Sequence, residues 1–165
     1  MSIAQLISPE QLAARQQHPG LVILDCRFAL EDPDYGQRSY AEGHIAGARF
    51  ADLERDFSDK VIKGVTGRHP LPKPDVLIQR LQEWGISQDS DVVLYDDGPG
   101  AFAARGWWLL AWLGKRDGVY LLDGGLKAWH AAGLPLSLDA PQNKKGTFTG
   151  EPDDSLLLSA QALQA

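Results

Sequence analysis

The chain reads as an α/β domain, a central and mostly parallel sheet with helices on both faces. Continuous apolar runs of strand length predict it: "LVILD" at 21–25, "VVLY" at 92–95 and "VYLLD" at 119–123 have the pattern of strands buried on both faces. Helical patterns stand between the runs, as parallel strands joined by crossover helices require. In such sheets ligands lie beyond the carboxyl ends of the strands. That rule points at Asp25, Asp96 and Asp123, each at the end of an apolar run.

Taken in order, "SPEQLAARQ" opens a short amphipathic helix with Ser8 as N-cap and Pro9 at the first helical position. The strand "LVILD" follows. Within the next polar stretch, "RSYAEGHIAGARFAD" predicts a helical turn, a break at Gly43 and a brief strand over Ala48 to Phe50. Residues 53 to 74 are loop-like, and the prolines of "HPLPKP" forbid a regular helix or central strand there. Asp75 is expected to cap a helix that carries Leu77, Ile78, Leu81 and Trp84 on one face and stops at Gly85. Then come the strand "VVLY", the loop "DDGPG", the helix "AFAARGWWLLAWLG", the strand "VYLLD", the turn "GG" and the helix "LKAWHAAG". Trp108 and Trp112 fall on one helical face and read as packing, as does Trp107.

Bulk composition narrows the function. With 165 residues, 44% hydrophobic, the chain can bury one ordinary core but not two full domains. A net charge of -6 and a pI near 5.1 exclude a nucleic-acid surface, which needs clustered Lys and Arg. No apolar run approaches the roughly 20 residues that span a bilayer. The start "MSIAQLISPEQLAARQQ" lacks the basic and apolar regions of a secretion signal, so the expected compartment is the cytoplasm. Cys26 is the only cysteine, and no pair of the four histidines has ligand spacing, so neither a disulfide nor a metal site is expected.

The C-terminal part changes character. Residues 139–156 have linker composition, polar with Pro and Gly. "LLSAQALQA" at 157–165 then lines up with "LISPEQLAA" at 6–14, Ser159 with Ser8 and Leu163 with Leu12. The expected organisation is a domain over 1–138, a linker over 139–156 and the start of a second copy at 157–165.

Several ordered motifs resemble those of the rhodanese family: "ILDCR" with Asp25 and Arg27; "GHIAGA" with Gly43 and His44, followed by Asp52; the Pro-rich entry to "LIQRLQEWGI"; and "LLDGGLKAWHAAGLPL" with Asp123, Gly124 and Gly125. The likeness covers roughly residues 6 to 136 and fits the N-terminal domain of a tandem-domain thiosulfate or 3-mercaptopyruvate sulfurtransferase. An active domain of this family carries a Cys directly after the "VVLY" strand, where backbone N–H groups and a helix N-terminus favour a thiolate. Here Asp96 stands in that position, and the loop of Asp96, Asp97, Gly98 and Gly100 is about one residue longer than in an active domain. The resemblance implies a domain inert by itself, with no cofactor, whose partners are the C-terminal rhodanese domain of the same parent and a small anionic sulfur donor. "RGWW" matches the family's Arg-x-Trp-Trp, which makes Arg105 the expected substrate-binding residue; its planar fork suits thiosulfate or a carboxylate. Asp25, Arg27, Gly43, His44, Asp123, Gly124 and Gly125 are expected to be structural.

Three other readings stand beside this one. The chain could be a stand-alone inactive rhodanese module that binds a protein partner or a small anion. "GPGAFA" at 98–103 also fits the Gly-x-Gly-x-x-Ala fingerprint of dinucleotide binding, with Asp123 about 20 residues further on. That fingerprint normally follows the first strand, and here two carboxylates would face the pyrophosphate. A nucleophilic aspartate of a phosphotransferase is the third, but such enzymes separate their two aspartates by one residue, and "DDG" sets them side by side.

Overall fold

Side-chain alternation in the central strands decides the layers. In a computed structural model of the chain, which describes residues 5–59, 71–139, 141, 145–153 and 155, five parallel strands form one sheet in the order β1-β5-β4-β2-β3. These are β1 (Gln5–Ile7), β2 (Leu21–Asp25), β3 (Ala48–Phe50), β4 (Asp91–Tyr95) and β5 (Val119–Leu122). The helices are α1 (Pro9–Arg15), α2 (Tyr35–Glu42), α3 (Pro74–Glu83), α4 (Ala101–Trp112) and α5 (Gly125–Ala131).

Successive residues of a strand face opposite sides. Leu24, Val92 and Leu94 therefore pack with Leu81 of α3 and Leu109 and Leu110 of α4. Ile23, Val93 and Tyr95 pack on the other side with Leu12 of α1 and Leu126 and Trp129 of α5. The sheet is covered on both faces, which is why its inner strands read as unbroken apolar runs.

Local signals explain most boundaries. Ser8 and Gln11 form a reciprocal cap on α1: the Gln11 N–H donates to Ser8 Oγ at 3.1 Å and the Ser8 N–H to Gln11 Oε1 at 2.9 Å. Pro9 follows at the first helical position. Gly43 ends α2, and Ala48–Phe50 is the expected brief strand. The expectation for Asp75 needs correction: Pro74 opens α3, Lys73 holds the cap position without a side-chain bond, and Asp75 lies inside the first turn. A carboxylate there acts on the helix dipole instead of capping it.

The sequence reading contained no counterpart of β1. Its three residues pair with Tyr120, Leu121 and Leu122 of β5, a run too short to show a period. The C-terminal stretch also holds a surprise. Residues 145–153 lie against the domain, and Phe148 is completely buried. Residues 60–70 and 157–165, the latter including the expected start of a second copy, lie outside the described residues.

Candidate active site

Asp96 leaves β4 at its carboxyl end and is 1% exposed. Its side chain turns back into the loop, where Oδ1 accepts the Gly98 N–H at 3.0 Å and Oδ2 accepts those of Phe102 and Ala103 at 3.1 and 3.0 Å. The latter two belong to the first turn of α4, whose N–H groups have no carbonyl partner within the helix. A carboxylate suits that end of the helix dipole as well. Asp96 thus fills a ready-made anion cradle with its own side chain.

Its main chain is fixed from the other side. The Asp96 carbonyl accepts the Leu126 N–H at 2.9 Å. A Cβ on Gly125 would come within 2.7 Å of that oxygen, and Gly125 holds φ +62, so glycine is required there twice over. Asp97 has a separate partner: the Tyr35 hydroxyl of α2 donates to its Oδ2 and ties that helix to the loop.

Behind the loop lies a buried polar network. Arg27 Nη2 meets Asp25 Oδ2 at 2.6 Å and donates to the Gly43 carbonyl at 2.6 Å. The Tyr95 hydroxyl donates to Asp25 Oδ2 at 2.8 Å and accepts the Ile45 N–H at 3.2 Å. Burial opposes the Arg27 charge, but the hydrogen bonds and charge of Asp25 outweigh it and hold the guanidinium above its ordinary pKa. Burial, then the Asp25 charge, raises the Tyr95 hydroxyl. His44 is 2% exposed and stacks on Tyr40 at 4.0 Å. Its Nδ1 lies 3.0 Å from the Tyr40 carbonyl, and its Nε2 lies 2.8 Å from the Asp139 carbonyl. Two backbone bonds with Ser137 complete the clasp.

Cys26 has the surroundings of a core thiol. It is 2% exposed, and its sulfur faces the Leu24 carbonyl at 3.8 Å. Burial pushes the thiol well above its ordinary pKa, and the charges of Asp25, Asp96 and Asp56 push the same way. Nucleophilic cysteines need the reverse environment.

The structure groups the sequence-predicted residues in two sets and leaves Asp97 and Arg105 apart. Asp96, Gly98, Gly100, Asp123, Gly124 and Gly125 line a cavity of about 540 Å³ at the carboxyl ends of β4 and β5. Asp25, Arg27, Gly43 and His44 sit behind it in the network just described. Arg105 does not line the cavity. It projects from the first half of α4 toward the loop after β3, with Nε and Nη2 donating to the Phe57 carbonyl at 3.2 and 2.9 Å, and burial lowers its pKa. Sequence reasoning passed over Tyr35, which stands in no quoted motif, and read Tyr95 only as the end of the "VVLY" strand. The Tyr beside each Asp carried no signal without the fold. Among the described residues no group of three His, Cys, Asp or Glu side chains is placed to hold a metal ion, and no helix is long and apolar enough to cross a membrane.

The family model for a rhodanese-like domain matches residues 8–132. The chain belongs to the rhodanese-like family. A Pseudomonas aeruginosa protein named "Probable 3-mercaptopyruvate sulfurtransferase" is 67% identical over 165 residues, covering 100% of this chain and 58% of the relative. The thiosulfate sulfurtransferase of Azotobacter vinelandii is 35% identical over 144 residues, 85% of this chain and 47% of the relative. A crystal structure of a 3-mercaptopyruvate sulfotransferase from Escherichia coli superposes with a TM-score of 0.79 at 30% identity, covering 99% of this chain and 64% of that one. The chain spans about half the length of the curated relatives it matches, and what it matches is their N-terminal part. In this rhodanese-like domain, therefore, a carboxylate fills the N–H cradle at the start of α4.

Proposed function

We propose that this domain is the non-catalytic N-terminal half of a thiosulfate or 3-mercaptopyruvate sulfurtransferase. The observation that carries this reading is the Asp96 side chain, which takes up three loop N–H groups and leaves no place in the cradle for a sulfur anion. A carboxylate can satisfy such donors, but it has no means to accept and release a sulfane sulfur. The names of the relatives support the reaction class. The reaction would move a sulfane sulfur from the donor to a cysteine of the following domain, and then to cyanide or a thiol. Arg105 would bind the anionic donor, its guanidinium oriented by the Phe57 carbonyl.

The dinucleotide reading loses its physical basis. The Phe102 and Ala103 N–H groups that would meet a pyrophosphate are bonded to Asp96, and the strand before the loop is the fourth among the described residues, not the first.

The test compares this chain with its longer parent. Thiocyanate formation from thiosulfate and cyanide is expected from the parent and not from residues 1–165. Turnover by the 165-residue chain that Cys26→Ser abolishes would overturn the inert-domain reading. Arg105→Ala in the parent is expected to raise KM for the donor; unchanged KM and kcat with both donors would remove Arg105 from the site. Reading the gene onward from Ala165 separates a tandem enzyme from a lone module, and a Cys-bearing loop after a second "VVLY"-like strand is expected.

A further inference from the structure

Residues 145–153 carry an anchor that a mere connector does not need. Phe148 is 0% exposed and belongs to the core cluster of Trp84, Ile86, Trp112 and Leu113. Hydrogen bonds pin it on both sides: its N–H donates to the Ile86 carbonyl at 3.0 Å, its carbonyl accepts from the Gln82 side-chain Nε2 at 2.8 Å, and the Gly146 N–H donates to the Gln82 carbonyl at 2.7 Å. The Thr149 N–H donates to Gln88 Oε1 at 3.0 Å. A Cβ on Gly146 would collide with the Ile86 backbone and one on Gly150 with the Leu113 carbonyl, so the segment lies directly on the domain's main chain. Its far end is held as well. The Asp153 N–H donates to the Trp112 carbonyl at 2.7 Å, and Arg116 Nη2 lies 2.5 Å from Asp153 Oδ2.

The attachment point matters because of what shares its helix. Trp112 closes α4, and Arg105 stands on the same helix two turns earlier, about 10 Å along a rigid rod. A free tether as long as the one expected over residues 139–156 would spread its end over roughly 20–25 Å. Fastened at Phe148 and Asp153, the chain runs on from a point set relative to Arg105 itself.

We infer that residues 145–153 form a strap whose buried Phe148 is a positioning residue for sulfur transfer, holding the following domain in register with Arg105. The inference rests on the reading that a catalytic domain follows. It predicts a narrow spread of distances between the two domains and a link between strap and arginine in the kinetics, since a well-placed binding group loses its advantage when its carrier drifts by an ångström or more.

The experiment uses the longer parent, with one fluorescent label on each domain and single-molecule energy transfer as the distance readout. The wild type is expected to show one narrow distribution. Phe148→Ala is expected to broaden it and to lower kcat/KM about tenfold, while the same substitution in an Arg105→Ala background costs less than about threefold. Should Phe148→Ala fail to fold, the double variant Gln82→Ala, Gln88→Ala removes the side-chain partners of the Phe148 carbonyl and the Thr149 N–H with the core intact, and the same pattern is expected at smaller size. The inference is overturned by a broad distribution in the wild type, by unchanged kcat/KM in the freed-strap variants, or by equal losses with and without Arg105. Failure of the tandem reading looks different: no second domain to label, or Arg105→Ala alone without effect while the distances still respond to Phe148.

Discussion

Replacing Asp96 by alanine tests whether its side chain holds the loop in shape. The substitution leaves three N–H groups without their acceptor. Gly98 is exposed, so water can take over its N–H. Ala103 is buried and Phe102 half-buried, and each unpaired buried donor costs about 1–3 kcal/mol. The expected loss for Asp96→Ala is therefore about 2–4 kcal/mol. Asp96→Asn can keep its oxygen over Phe102 and Ala103, but then sets its amide against the Gly98 N–H; about 1–2 kcal/mol is expected. Urea unfolding of the 165-residue chain at neutral pH measures both. With a slope near 2 kcal/mol per molar, Asp96→Ala should move the midpoint down by about 1–2 M. A loss below about 0.5 kcal/mol for Asp96→Ala, or equal losses for the two variants, would refute the cradle argument. Asp96→Cys adds a chemical readout. A thiol in the same place faces three donors and a helix N-terminus, so its pKa should fall below the ordinary value near 8.5 and it should react with iodoacetamide far faster than Cys26.

Three further outcomes are expected. The Cys26 thiol is raised in the fold, so its contribution to stability is intact below the unfolded-state value near 8.5 and is lost as pH rises above it, by up to about 1.4 kcal/mol per pH unit. Urea midpoints at pH 8 and 10 should converge for Cys26→Ala relative to wild type, and parallel behaviour of the two would contradict the burial argument. Arg27→Met strands Asp25 in the interior without its cation, at a cost of about 3–5 kcal/mol, and adding Asp25→Asn should recover part of it in thermal melts. Gly125→Ala forces a side chain into the left-handed region against the Asp96 carbonyl; with about 1–2 kcal/mol of strain, a Tm lower by roughly 2–8 °C is expected.

Much of the fold was legible because its determinants are local or repetitive. "LVILD" announces a strand buried on both faces without reference to any other segment, and Ser8, Pro9 and Gln11 carry the whole signal for the start of α1. β1 was hidden because three residues show no period, and it exists only through pairing with β5. Asp75 misled because an acidic residue beside a proline suits the cap and the first turn equally well. The role of Phe148 was masked by its polar neighbours: a single aromatic in a linker-like stretch creates no period, yet one buried ring is enough to fix a strap. At the site, the side-by-side aspartates were visible, but not their division of labour. One fills the helix N-terminus and the other receives Tyr35 from 62 residues earlier, a contact only the fold could bring about.

The identity of the residue at position 96 follows from the loop's construction. A loop that presents several N–H groups to one point needs an acceptor there at all times. A neutral aliphatic residue would leave the donors unpaired, and a hydroxyl could engage only some of them. A carboxylate offers two oxygens on a short stem, which matches the observed division of one oxygen to Gly98 and the other to Phe102 and Ala103. Aspartate therefore satisfies the architecture, and on the proposed reading it does so without sulfur chemistry. A domain in this state can still contribute what depends on shape: Arg105 held by the Phe57 carbonyl, and a strap fastened to the far end of the same helix. Both features are organised about α4, and neither requires a nucleophile at its N-terminus. The proposed division of labour, binding and positioning in one half with bond exchange in the other, would draw on both features.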